Sequence, residues 1–480
     1  MSSLARLVSV EAGGRAIGKI AEYGLILGVA RLLGSDGLGV VAFGLVLLRI
    51  SGAFGRLGMD VMVQKFVPAD RSAPDRLAGT VVLGVVSAAV AGTVFGLAGY
   101  AVVPVVRPLG YEISEPARLF LLGVPLYTVL RVAEATTRGY KQTRYAVYAR
   151  EFAQRVAALP LAVCGVFLVG NVLGAVYAYL ASLALGAGVG LFYVWRIGAL
   201  DGIASASYTP RRVFGYALPA MLFSVAHPLI LWVDVLVLGL LVPPSDVGLY
   251  EAAYQTAILP TFALVAVSAV FPAMAADYHE AGAHDRLRRT LQTVTKWVCV
   301  AAGFAGLFLL VFADPVLRLF GKEFAAVGVT FTVLLGSQVM SVATGPVNYV
   351  LSMTEYERLE MVNTSVVAVG NAVGNVLLVS EYGIVGAAVS TSLAVVLLDV
   401  LRLVQVRHLL GFWPYERSFL LILPVLAATG CGMWVVRTVV SRPYIGLIGG
   451  GVVGTGLLIA GAYALYSPSD RMLFESVQEL

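Results

Sequence analysis

The sequence predicts an all-α polytopic membrane protein of about fourteen transmembrane helices, built as two six-helix lobes with two further helices at the C-terminus. Three observations predict it. First, 59% of the 480 residues are hydrophobic and only 13% are charged, with 52 glycines besides. Soluble chains carry about 45–50% apolar residues, glycine included, and about 25% charge. Second, the excess falls in runs of roughly 20 residues, the length that crosses about 30 Å of hydrocarbon as a helix. Third, short motifs recur at nearly constant spacing in the two halves. Together these exclude soluble enzymes, nucleic-acid binders and disulfide scaffolds. The formal charge of +5 is therefore read by its placement on loops, not as a nucleic-acid signal.

The first six spans are predicted near 14–33, 38–61, 78–104, 117–137, 147–169 and 172–195, and the next six near 213–241, 248–273, 291–312, 324–350, 359–379 and 383–405. Two more lie near 418–438 and 444–466. The first apolar segment is long, carries charges and leads straight into a second, so it reads as an uncleaved span and not as a signal peptide. Cys164, Cys299 and Cys431 sit inside apolar runs without CxxC spacing and read as small hydrophobes. Outer loops are short, two of them mere turns at Gly170-Asn171 and Ser380-Glu381-Tyr382. They leave no room for a catalytic domain and hold no His, Cys or acidic cluster for a metal. Neither enzyme activity, a cofactor nor a metal is expected.

Lys and Arg fix the expected orientation. Twenty fall on the segments that are cytoplasmic if the N-terminus is inside. Seven fall on the outer ones: Arg31, Arg107, Arg118, Arg318, Lys322, Arg437 and Arg442. Both termini are then cytoplasmic, in a multi-pass protein of the cell membrane.

The repeat comes next. Ser35-Asp36-Gly37-Leu38-Gly39 between spans one and two matches Ser245-Asp246-Val247-Gly248-Leu249 between seven and eight. Val172-Leu173-Gly174-Ala175 entering span six matches Ile384-Val385-Gly386-Ala387 entering span twelve, and both offsets are about 210 residues. A repeat of six spans keeps its membrane orientation, so two bundles flank a central cavity. The expected lobes are 1–212 and 213–410, with 411–480 appended. That is a transporter's layout; a channel needs a filter or an oligomeric ring.

Ionisable residues at depth are costly and mark candidate sites. Span one carries Arg15, Lys19 and Glu22 on one helical face, and span two Arg49 and Arg56 seven apart with Asp60 a turn further. Arg49 lies about eleven residues in, roughly 17 Å deep. Arg131 and Glu134 in span four and Glu151 and Arg155 in span five extend the set. Anionic substrate is expected at Arg49, Lys19, Arg56, Arg131 and Arg15, and ion coupling at Asp234, Glu22, Asp60 or Asp399. Blander readings stand beside these. Arg15 and Asp60 lie close enough to the boundary to snorkel, and Arg131–Glu134 and Glu151–Arg155 also fit structural pairs. Asp234 fits a packing hydrogen bond, His227 before Pro228 a packing residue, and Asn371 with Asn375 interhelical glue.

The run Ala30-Arg31-Leu32-Leu33-Gly34-Ser35-Asp36-Gly37-Leu38-Gly39, followed by Gly58-Met59-Asp60-Val61-Met62-Val63-Gln64-Lys65, resembles the corresponding corner of Wzx-type polysaccharide and oligosaccharide-lipid flippases. Leu218-Pro219, Trp232-Val233-Asp234, Val247-Gly248-Leu249-Tyr250, Phe271-Pro272-Ala273 and Tyr382-Gly383-Ile384-Val385-Gly386-Ala387-Ala388 are similar to that family too. The resemblance is diffuse and spans most of the chain. It implies the MATE-like fold of the MOP exporter superfamily and alternating-access flipping of a polyprenol-(pyro)phosphate-linked oligosaccharide to the outer leaflet, for surface polysaccharide or protein glycosylation. First-lobe cations would bind the phosphate. The implied partners are the lipid-linked glycan on an undecaprenyl or dolichol carrier, membrane lipids, and the glycosyltransferases, polymerase or oligosaccharyltransferase that make or consume it; nucleic acid is not among them. The alternative is a MATE-type drug/cation antiporter, against which stand the two extra spans and the cationic first lobe.

Overall fold

The computed structural model describes residues 3–106, 113–268, 270–466 and 470. Arg107 and the side chain of His227 lie outside the described residues. Every regular element among the described residues is a helix. Among the described residues, ten helices are long and apolar enough to cross a membrane. Two of them, Ser3–Gly55 and Glu357–Leu410, run through a kink at Gly34 (φ 69°) and Gly383 (φ 56°) and hold two predicted spans each. The left-handed backbone at these corners favours glycine, which has no Cβ to clash there. Span seven is the pair Pro210–Ala226 and Pro228–Leu241, bent by 46°. Span eight, Pro244–Ala257, is continued by a 3-10 turn and a short helix to Val267. With the kinked helices counted as two spans each and the bent pair as one, thirteen of the fourteen predicted spans are long and apolar enough to cross, and the eighth is a broken helical segment among the described residues. The protein is an all-α polytopic membrane protein.

The chain packs as two compact units, Ser3–Glu251 and Ala252–Leu480. The packing boundary thus falls inside span eight, whereas the sequence repeat divides the chain at 212. Spans seven and early eight belong to the first unit and pack on its first long helix. The connector after span six is tied down on the start of span three: Ser207 N donates to Asp75 O at 3.0 Å, and Ser205 Oγ to Asp75 Oδ1 at 2.5 Å. Arg212, opening span seven, donates to both oxygens of buried Asp70, at 3.1 and 2.8 Å.

Glycine lets the backbones approach. A Cβ on Gly39 would stand 1.7 Å from the Pro244 carbonyl oxygen, and one on Gly248 2.0 Å from that of Ser35. These reciprocal contacts join the two copies of the repeated corner. The other repeated motif behaves alike: a Cβ on Gly174 would meet the Gly165 carbonyl at 2.1 Å, and one on Gly386 that of Leu378 at the same distance. Gly170 and Gly383, at the matching turns, both have positive φ.

In the second unit, spans thirteen (Ile422–Val439) and fourteen (Pro443–Leu465) pack on each other and on span nine (His284–Val311). Beyond span fourteen, Asp470 is buried against span nine. Lys296 Nζ lies 2.6 Å from its carboxylate, and Trp297 Nε1 donates to it at 3.0 Å.

Candidate functional site: a cationic network in the first unit

Charged residues of spans one, two, four and five meet around two carboxylates. At the first, Glu22 accepts from Arg49 at 2.7 Å and lies 3.3 Å from Lys19 and 3.6 Å from Arg155. At the second, buried Glu134 is 2.6 Å from Arg131, 2.8 Å from Arg138 and 3.3 Å from Arg150. Arg131 and Arg138 reach Glu134 because three and four residues along a helix share a face.

Span five links the two. Tyr148–Val156 is wound as a π-helix, which carries Arg150, Glu151, Gln154 and Arg155. Such segments are rare and are found mostly at functional sites. The wider winding lets Arg150 turn to Glu134 while Arg155 lies 2.8 Å from Glu151 and also faces Glu22. Span one makes room with Gly18, where a Cβ would stand 1.7 Å from Glu151 Oε2.

Arg56, 5% exposed, sits 3.2 Å from Asp60 and over the Tyr127 ring at 5.8 Å. Arg49 lies over Trp232 of span seven at 4.3 Å, a cation–π contact. Seven cations (Lys19, Arg49, Arg56, Arg131, Arg138, Arg150, Arg155) thus face four carboxylates (Glu22, Asp60, Glu134, Glu151). Among the described residues, the cations of this network outnumber its carboxylates even with Glu251 of the adjoining cavity counted. Glu22, Arg49, Gln154, Arg155, Tyr179, Trp232 and Glu251 line a cavity of about 30 Å³, room for one water. Such an array suits a multivalent anion, because guanidinium forks match phosphate oxygens and lose less hydration than ammonium groups.

Of the expected substrate residues, the structure places Arg49, Lys19, Arg56 and Arg131 in this network, and Arg15 is exposed. The expected ion-coupling residues separate. Glu22 and Asp60 are counter-ions inside the network. Asp234 accepts from Tyr250 Oη at 2.7 Å and from Val235 N at 2.8 Å. Asp399, in the second unit, accepts from Arg402 at 3.1 Å, and Arg402 is also paired with Glu360. Asn371 and Asn375 bond each other and Ser390, as interhelical glue does. Sequence reasoning missed Arg138, Arg150, Tyr127, Tyr179 and Trp232. The two arginines carry a weak signal, at four residues beyond Glu134 and five before Arg155. The aromatic lining carries none.

Residues 4–276 match a family profile described as polysaccharide biosynthesis protein. The chain belongs to that family. A MatE profile matches residues 219–377. Two relatives from Haloferax volcanii are similar: a probable low-salt glycan biosynthesis flippase, Agl15, at 27% identity over 40% of this chain and 41% of its own, and a probable flippase, AglR, at 25% over 44% and 40%. Each match spans about two fifths of the relative's length. Among solved structures, the lipid II flippase MurJ in an inward closed conformation superposes with a TM-score of 0.71 at 11% identity, covering 95% of this chain and 98% of MurJ. An inward-facing multidrug-resistance MATE transporter of the MOP superfamily superposes at 0.67, 15% identity, 82% and 94%. At these identities the two structures show the fold. The polysaccharide biosynthesis family thus sits here on a MOP-type scaffold.

Proposed function

We propose that this family member is a flippase, a transporter and not an enzyme, that moves a polyprenol-(pyro)phosphate-linked oligosaccharide from the cytoplasmic to the outer leaflet of the cell membrane. The observation that carries it is the gathering of arginines from spans two, four and five around Glu22 and Glu134, with Arg49 at the cavity. A lipid-linked glycan has a polar head that needs a wet, hydrogen-bonding path and a phosphate linkage that needs guanidinium groups. Two six-span lobes, 1–212 and 213–410, rock about that path, and spans thirteen and fourteen lie outside the repeat. Both termini are cytoplasmic. The enzymes that build and consume the glycan act on either side of the step. The names of the two Haloferax relatives support the reading.

The test is the leaflet distribution of lipid-linked glycan, read by an impermeant probe. Deleting the gene accumulates the glycan on the cytoplasmic leaflet, and wild-type chain restores export. Arg49→Ala is made normally and fails to restore it; normal export with Arg49→Ala removes Arg49 from the path. Drug sensitivity with normal glycans in the deletion strain selects the MATE-type antiporter instead.

A further inference from the structure

We infer that Glu22 is an internal stand-in for the substrate's phosphate: it holds Arg49 and Arg155 in the unloaded site and takes them back when the anion leaves. The inference rests on the flippase reading above. Three observations carry it. Glu22 is the carboxylate shared by Arg49, Arg155 and Lys19, on spans one, two and five. It lines the same cavity as both arginines, and that cavity of about 30 Å³ is too small for a phosphate group, so a lining side chain must move to admit one, and Glu22 is the one that both arginines hold. Both arginines have a second contact that survives the withdrawal, Arg49 with Trp232 and Arg155 with Glu151.

The exchange follows from charge and geometry. A diphosphate presents more negative charge and more acceptor oxygens than a carboxylate, so it displaces Glu22 from the guanidinium forks. On release, two partly buried arginines would be left underpaired, which is strongly unfavourable. Re-engagement by Glu22 removes that barrier. Glu22 therefore weakens binding and speeds release, in a site whose task is to pass the anion on.

The two effects have opposite signs in one variant. Full-length chain is measured for binding of inorganic pyrophosphate and of polyprenyl diphosphate, and in proteoliposomes for flipping of a fluorescent polyprenyl-diphosphate glycan. Glu22→Gln is expected to bind at least one of the two probes about tenfold more tightly and to flip about tenfold more slowly. Tightening for the lipid probe alone identifies a lipid headgroup as the anion, and tightening for both a phosphate site open to either. Glu22→Asp, whose carboxylate is retracted by one methylene, shifts both readouts the same way by less, and carries the test if Glu22→Gln fails to fold. Unchanged or weaker binding in the variants, or wild-type flipping by Glu22→Gln, overturns the inference while leaving the flippase reading intact. Wild-type chain that neither binds nor flips these probes overturns both.

Discussion

Glu134 is 2% exposed and holds three arginines, Arg131, Arg138 and Arg150, each a fifth to a quarter exposed. Removing its charge leaves like charges facing one another in a poorly solvated place. Loss of one partner from a buried ion pair costs about 3–5 kcal/mol. Glu134→Gln is expected near the lower end, at about 3 kcal/mol, because the arginines keep some access to solvent. The check is thermal unfolding of purified protein. Arg138→Gln, which leaves Glu134 two partners, lowers the midpoint much less; equal losses would mean that the carboxylate is no hub. Much of this network was legible in the sequence, because Lys19 with Glu22 and Arg131 with Glu134 follow helical spacing. Arg150 was not. Its partner lies on another span, and the π-winding that aims it leaves no mark in residue pattern.

At the scale of elements, the glycine corners show what composition alone conceals. Glycine is common throughout this chain, yet only some positions meet a neighbouring backbone. At Gly39 and Gly248 the obstructing atoms are carbonyl oxygens, which cannot rotate aside as a side chain does. Gly39→Ala and Gly248→Ala must therefore separate the two repeated corners, at a cost of about 1–3 kcal/mol each, the range for overpacking. Because each change opens the same contact, the double variant costs less than the sum. Gly188→Ala is the control, since a Cβ there has nothing within 4 Å; it leaves stability and flipping unchanged. Thermal unfolding of the four proteins checks the set, and additive losses would mean that the corners do not act as one contact. The repeated motifs pointed to these corners, but their facing each other is a tertiary fact that no local pattern encodes. The two double-length helices were legible as pairs of spans because the polar residues Ser35-Asp36 and Ser380-Glu381-Tyr382 break their apolar runs, beside the kinks at Gly34 and Gly383.

At the scale of the molecule, hydropathy delivered thirteen spans as long apolar helices and span eight as a helical but broken segment, while the place where packing divides is a tertiary matter. Arg212 reaching Asp70 across a long sequence separation is one of the contacts that hold span seven on the first unit. Orientation is a different matter, because it is set during insertion by where Lys and Arg lie. Lys65, Arg71 and Arg76 surround the corner between spans two and three, while the turns at Gly170-Asn171 and Ser380-Glu381-Tyr382 carry neither Lys nor Arg. Ser72 and Ser380 are both exposed, at corners predicted to face opposite sides. In a background with Cys164, Cys299 and Cys431 replaced, Ser380→Cys is expected to react with an impermeant maleimide in intact cells. Ser72→Cys is expected to react only after permeabilisation. The reverse pattern would turn the molecule over. The cationic network would keep its geometry, and Arg49 its place at the cavity, but Lys19 and Arg15 would then lie towards the outer leaflet. A phosphate headgroup made in the cytoplasm would meet the other end of the path first, and the direction of flipping proposed for this family member would fall while its fold stood.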